Sequence, residues 1–240
     1  MKIYKIDSKG KVRILEITTS NGNLIQTSGL LDGKKVEHTK LCKPKNIGKV
    51  NETTDITQSE SEADALVVKK LREGYFKTIE EAKSVKVILP MLAQDYFKKE
   101  KKVQWPCYAQ PKLDGMRGLG NMGTLTSRAN KEIITLKHIQ ADLDGIEQHI
   151  DGELYAHGLT FQENMKIIKK YREGQTENVK YHVYDMISDK PFIERYSELK
   201  TIVKGKPNIE VVPLVEISNP WVLEEYYGNM MLAGYEGVML

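Results

Sequence analysis

The chain holds 240 residues, 40% hydrophobic and 29% charged, an ordinary composition for a soluble globular protein of one large domain or two smaller ones. No run approaches the roughly 20 consecutive apolar residues of a membrane-spanning helix, and Met1-Lys2-Ile3-Tyr4-Lys5 leads into no apolar signal core. Cys42 and Cys107 are the only cysteines, too few for a disulfide framework; a membrane protein, a secreted miniprotein and a disordered tail are excluded, and a reducing, cytoplasmic compartment is expected.

Residues 1–50 carry 11 Lys/Arg against 4 Asp/Glu, a local net of +7, and the other 190 residues carry 25 against 29. A basic first fifth fits a polyanion-contacting surface; it also fits a small, well-solvated module whose lysines bind nothing. Residues 2–6 and 12–18 alternate apolar and polar side chains, the period of half-buried strands. Asn21-Gly22-Asn23 and Asp32-Gly33 are hairpin signals, because Asn-Gly and Asp-Gly tolerate positive φ. Residues 51–61 form a polar stretch. Beyond it Ala63, Leu66, Val67, Lys70 and Leu71 share a helical stripe that Gly74 would stop. Thr78, with Glu81 three residues on, marks a second short helix over residues 78–84. These elements predict a small basic β-rich module over residues 1–85. It has a partial likeness to WGR-type nucleic-acid-binding modules, without their Trp-Gly-Arg triplet.

From Lys86 the pattern changes to strands alternating with amphipathic helices, a mixed α/β domain over residues 86–240. Strands are expected at 179–187, at 209–217 as one run, and from Gly237 onward. Helices are expected at 161–172, 192–203 and 221–232, with Phe161, Met165, Ile168 and Tyr171 as the core stripe of the first.

The informative segment is Tyr108-Ala109-Gln110-Pro111-Lys112-Leu113-Asp114-Gly115-Met116-Arg117. Lys112 follows an apolar lead-in and precedes an Asp-Gly turn, so a strand end can hold it facing a cleft. Partial burial and neighbouring cations make such an amine a usable nucleophile. Taken by itself, the segment also reads as an exposed lysine beside a hairpin turn. Downstream come Ser127-Arg128, Asp151-Gly152-Glu153-Leu154-Tyr155, Tyr181-His182-Val183-Tyr184-Asp185-Met186 and Glu236-Gly237-Val238-Met239-Leu240.

In this order and spacing the segments resemble the nucleotidyltransferase motifs of ATP-dependent DNA ligases, in the superfamily shared with RNA ligases and mRNA-capping enzymes. The K-x-D-G-x-R form, completed by Arg117, is similar to that of DNA ligases. So are Pro90-Met91-Leu92-Ala93, Phe161-Gln162-Glu163 and Glu194-Arg195, and the likeness spans residues 88–240. It implies an α+β, mixed α/β fold: an ATP-grasp-like nucleotidyltransferase domain, incomplete at its C-terminus, preceded by the small module. It further implies an enzyme of DNA repair, replication or recombination, a monomer with no membrane association. Its cofactors would be ATP and Mg²⁺ (or Mn²⁺), and its partner nicked duplex DNA.

By the same resemblance Lys112 attacks the α-phosphate of ATP, releasing pyrophosphate and leaving AMP on the lysine through a P–N bond. Glu153 binds the ribose, and Glu236 helps hold the divalent metal, with Glu153 as a second carboxylate ligand. Arg117 contacts the ribose and the nick phosphate; Arg128 contacts the 5′-phosphate of the nicked strand. Period two puts Tyr181 and Tyr184 on opposite faces, and Tyr184 stands where the family stacks an aromatic on adenine. Gln110 occupies the adenine-amine position, where many members have Glu. A glutamine carbonyl can still accept from that amine. Singly, each glutamate also reads as a surface carboxylate, and each arginine as half of a surface ion pair.

His38, His138, His149, His157 and His182 show no zinc-like spacing with either cysteine, and no Gly-x-Gly-x-x-Gly or Walker-type loop occurs. The family continues past Glu236 to a K-x-K motif and an OB-fold domain, so this chain alone is expected to be impaired in adenylation and sealing. The alternatives are an RNA ligase, a capping-type guanylyltransferase, and a non-catalytic nicked-DNA-binding protein.

Overall fold

The computed structural model describes residues 1–7, 9–84, 88 and 90–240, which divide into two compact units, Met1–Ile88 and Leu89–Leu240. The boundary expected at residues 85–86 lies outside the described residues.

In the first unit the alternating segments form an antiparallel meander of β1 (Lys2–Ile6), β2 (Val12–Ser20), β3 (Asn23–Leu30) and β4 (Lys35–Leu41), hydrogen-bonded in that order. Asn21 (φ 47°) and Gly22 (φ 74°) make the two-residue turn between β2 and β3, where Ser20 pairs with Asn23. Helix α1 (Asp55–Arg72) packs Val67 against Ile3, Leu15, Ile17 and Leu24 on the sheet and Cys42 just past β4. Burying each large aliphatic side chain contributes about 1.5–3 kcal/mol. Helix α2 (Ile79–Ser84) follows, with reciprocal Thr78–Glu81 capping hydrogen bonds.

Helix α1 begins inside the polar stretch of residues 51–61, ahead of the helical run expected to follow it. Thr54 caps it by accepting from the Thr57 amide (3.2 Å), and the polar Gln58 and Ser59 are buried because their side chains find partners. The centre of that arrangement is Glu62. Its carboxylate receives Lys40 Nζ from β4 (2.6 Å), Lys45 Nζ from the following loop (3.0 Å) and Gln58 Nε2 (2.8 Å).

The second unit runs through a single turn α3 (Tyr96–Lys99), β5 (Cys107–Lys112), β6 (Met116–Asn121), β7 (Thr124–Ser127), α4 (Lys137–Leu143), β8 (Ile150–Tyr155) and α5 (Phe161–Lys169). It continues through β9 (Lys180–Met186), α6 (Phe192–Ile202), β10 (Ile209–Val211), β11 (Val215–Ile217), α7 (Pro220–Leu232) and β12 (Gly237–Met239). Two sheets result: five strands in the order β10-β9-β8-β6-β7, and three antiparallel strands with β5 between β11 and β12. One face of the larger sheet presents Ile150, Leu154, Tyr181 and Val183 to Ile139 and Leu143 of α4, Met165 and Ile168 of α5 and Leu199 of α6. The period of two therefore sends Asp151 and Glu153 to the opposite face.

Two expectations are corrected. The single strand at 209–217 is two strands in different sheets, β10 parallel to β9 and β11 antiparallel to β5; Pro213, which has no amide hydrogen to donate, stands between them. The helix expected to reach residue 172 ends at Lys169, so Tyr171 lies outside it and donates to Glu177, and Phe161 at its first turn is exposed. The buried stripe is Asn164, Met165, Ile167 and Ile168, with the Asn164 amide bonded to backbone at Ala156 and Leu159.

Lys40 foremost, then Gln58 and Lys45, hold the Glu62 carboxyl well below its ordinary 4.5 against the opposing effect of burial. A carboxylate with a depressed folded pKa contributes stability in full above its unfolded value, and that contribution is lost as pH falls below it. Glu62→Gln is therefore expected to melt several degrees lower at neutral pH. It should also lose less further stability than the parent between about pH 5 and about pH 3, checked by thermal unfolding.

Candidate active site

The backbone brings the sequence-selected residues together through strand register. Lys112 is the last residue of β5, and Gly237 of β12 pairs with it; the Glu236 amide donates to the Lys112 carbonyl (3.0 Å). The Glu236 carboxylate consequently forms an ion pair with Lys112 Nζ, both side chains about half-exposed. After three intervening residues the chain enters β6, where Arg117 pairs with Glu153 of β8. Gly115 makes this passage. A Cβ there would lie 2.3 Å from the Leu154 carbonyl oxygen and 3.0 Å from Glu153 Cγ, so a side chain would push β6 off β8.

Arg117 is held as a fork. Its Nε donates to one Asp151 oxygen (3.0 Å), Nη2 to the other (2.5 Å), and Nη1 to the Met91 carbonyl. The Tyr184 ring lies 5.7 Å from the guanidinium, and its hydroxyl donates to Asp151 (3.4 Å). Tyr184 stands at an irregularity of the β8–β9 ladder, where Asp151 pairs with Asp185 but Gly152 pairs with Val183. Such a bulge re-aims a side chain. Tyr181, by contrast, is fully buried on the core face, its hydroxyl within 3.0 Å of the Gly118 carbonyl and 2.7 Å of that of Ile150. Next to Asp151, Asp185 is gripped by Arg195 of α6 through two contacts of 2.8 Å.

Glu153 makes no such pair among the described residues. Burial pushes its carboxyl up to about 8, against the fields of Arg117 and Lys112, and Asp151 and Glu236 add to the rise. Asp151 is raised too, mainly by burial, with Arg117 opposing. The site thus brings together the carboxylates of Asp151, Glu153 and Glu236, the cations Lys112 and Arg117 and the Tyr184 ring, with the Asp185–Arg195 pair beside them. Gln110 shares the Lys112 side of β5 by the period of two, and its buried Nε2 lacks a hydrogen-bond partner among the described residues. Arg128 stands apart in exposure. It follows Ser127, which pairs with Gly118 beside Arg117, but its guanidinium is in water and forms no ion pair among the described residues.

The donors available to a divalent cation are Glu153 and Glu236. Among the described residues no three His, Cys, Asp or Glu side chains converge on one point. Two carboxylates facing an open site suit a hard cation shared with phosphate oxygens and water better than an all-protein cage, and a buried, raised carboxyl gains from such a cation. Asp151 was missed as a site residue by sequence reasoning. The available signal was its spacing of two from Glu153, which puts both on one face.

Residues 90–240, more than half of the chain, match the family described as ATP dependent DNA ligase domain. Among solved structures, a Lig E DNA ligase, studied for DNA binding with a minimal scaffold, superposes with a TM-score of 0.57 at 24% identity, over 63% of this chain and 60% of its own. A structure named Pmar-Lig_Pre gives 0.55 at 22% identity over 62% and 41%. Chlorella virus DNA ligase-adenylate gives 0.49 at 27% identity over 58% and 54%. The first two share the mixed α+β fold, and the chain spans between 41% and 60% of the lengths of all three. No curated protein sequence matches it.

A carboxyl whose folded pKa is raised stabilises the protein below its unfolded pKa, and this is lost as pH climbs through the folded value. The unliganded protein is expected to lose stability between about pH 5 and about pH 9 as Glu153 ionises, on the order of a few kcal/mol. Glu153→Gln should flatten that loss in thermal melts across the range; an unchanged slope would place the titration elsewhere.

Proposed function

The chain belongs to the ATP-dependent DNA ligase domain family, and from that premise we propose that it is the adenylating part of an enzyme that joins nicked duplex DNA through AMP carried on Lys112. The observation that carries this reading is the meeting of one amine, two carboxylates and one fork-held guanidinium at the linked ends of β5, β6, β8 and β12.

Lys112 Nζ attacks the α-phosphorus of ATP. A P–N bond forms as the bond from that phosphorus to the bridging oxygen breaks, and the electron pair leaves with pyrophosphate. The amine must first shed a proton, and the Glu236 carboxylate it rests on is placed to accept it. Glu236 and Glu153 would hold a Mg²⁺ or Mn²⁺ ion jointly with the phosphates, which supplies charge neutralisation when bound. Glu153 also faces the ribose. Tyr184 stacks on the base, and Gln110 accepts from the adenine amine while its buried Nε2 donates to a ring nitrogen.

Arg117 has five N–H groups, three of them already engaged, which leaves two for ribose or phosphate oxygens. Asp151 therefore sets the direction in which Arg117 can reach. Arg128, exposed and level with Arg117, is the donor for the 5′-phosphate of the nick. Transfer of AMP to that phosphate breaks the P–N bond. Attack by the adjoining 3′-hydroxyl then forms the phosphodiester and releases AMP.

Incubation with α-labelled ATP and Mg²⁺, followed by denaturing separation, tests the reading. The parent should retain label and Lys112→Ala should retain none. Tyr184→Ala should raise the ATP concentration for half-maximal labelling roughly 3- to 10-fold. Preferential labelling by GTP would instead identify a capping-type guanylyltransferase, and a folded parent that binds nicked DNA yet takes no label even when the family's K-x-K and OB-fold region is supplied would identify a binding protein.

A further inference from the structure

The first unit lies outside the residues that match the family, and one part of it is built in a way its own fold does not require. After β4, residues 43–53 make a closed loop. Its base is double-pinned: the Lys45 amide donates to Thr53 Oγ1 (3.0 Å) and the Thr53 amide to the Lys45 carbonyl (3.0 Å). Inside it, the Lys49 amide donates to the Asn46 carbonyl (2.9 Å), the Glu52 amide to the Lys49 carbonyl (3.0 Å), and Asn46 Nδ2 to the Asn51 carbonyl (3.2 Å). Asn46 (φ 56°) and Gly48 (φ 78°) turn the chain. The base is in turn fastened to α1, through Lys45 on Glu62 (3.0 Å) and through Thr53 Oγ1 donating to Gln58 (2.9 Å).

A loop so tied holds its side chains in fixed directions, and two of them are aliphatic. Ile47 is 74% exposed and Val50 fully so, neither packed on the unit's core. Beside them in the loop are Lys43 and Lys49, both exposed and without an ion pair among the described residues. Residues 34–53 contain six lysines against Glu37 and Glu52. The Glu52 carboxylate is turned inward onto the Gly48 amide (2.8 Å). Cations flanking a rigid aliphatic tip form the pattern that contacts a nucleic-acid duplex: lysines on phosphates, an apolar wedge against the sugar edges of a groove.

We propose that this loop is a second duplex-DNA contact, in which Lys43 and Lys49 meet backbone phosphates and Ile47 and Val50 enter the minor groove. The charge complementarity stands on the loop alone; the choice of DNA as the occupant rests on the proposed ligase function. The contact is independent of sequence and of the nick, and its role is to add residence time on duplex that the nucleotide site then searches.

Binding of the full chain to a fluorescent nicked duplex and to the same duplex intact, without ATP, over a series of salt concentrations tests this. The double variant Lys43→Ala, Lys49→Ala should weaken binding to both duplexes alike and lower the slope of log affinity against log salt by about 2. Ile47→Ser with Val50→Ser should weaken binding roughly three- to tenfold and leave the salt slope unchanged. Neither pair takes part in the Glu62 contacts, so thermal melting should stay at the parent value, and labelling by ATP should be unaffected. Parental affinity and slope in both variants would overturn the proposal, as would transfer of the effect to anionic vesicles with duplex binding intact. Absence of ATP labelling even with the family's K-x-K and OB-fold region supplied would overturn the ligase reading; the loop proposal then stands or falls on the duplex binding of the two variants.

Discussion

Gly115 lies where the chain leaves one sheet and enters another, and its backbone runs against the Leu154 carbonyl so closely that a Cβ would sit 2.3 Å from that oxygen. The close approach fixes the offset between β5, which ends in Lys112, and β6, which begins beside Arg117. Once that offset is set, ordinary antiparallel register does the rest. Gly237 opposite Lys112 delivers Glu236, and Glu153 opposite Arg117 delivers the second carboxylate. A residue larger than glycine would push β6 off β8 and part Arg117 from Glu153.

The charges are arranged in layers. Asp151 and Arg117 neutralise each other with two-point geometry, and Asp185 and Arg195 repeat the device one strand over, so the floor of the site is stiff. Above it the Lys112–Glu236 pair is half-exposed and Glu153 has no counter-charge of its own. The upper layer is the part a polyphosphate and a cation can rearrange: the amine is already beside a proton acceptor, and the raised carboxyl of Glu153 gains from any positive charge placed near it. Rigid support beneath a loosely paired reactive layer is how a site holds geometry and still admits a charged ligand.

Much of this was legible in the sequence because strand and turn chemistry are local. Asn21-Gly22 turned where expected, Thr78 and Glu81 capped α2, and the two-residue period separated the core residue Tyr181 from Tyr184 on the carboxylate face. The partnership of Arg117 with Asp151 was hidden, because it depends on which strands are neighbours, and no single segment states that. The same blindness merged β10 and β11, whose separation is a matter of sheet membership. The early start of α1 was hidden for another reason: its polar residues Gln58 and Ser59 are buried by virtue of hydrogen bonds made to side chains and backbone around them, so the apolar stripe by itself marked only the later part of the helix.

The most direct test of the account is to locate the adenylate by chemistry rather than by loss of activity. The protein would be incubated with ATP and Mg²⁺, digested under conditions that preserve P–N bonds, and its peptides sequenced by mass spectrometry. The account requires the mass of one AMP on the peptide that contains Lys112, discharged by added pyrophosphate. AMP on any other lysine, or a modification that pyrophosphate does not reverse, would contradict it.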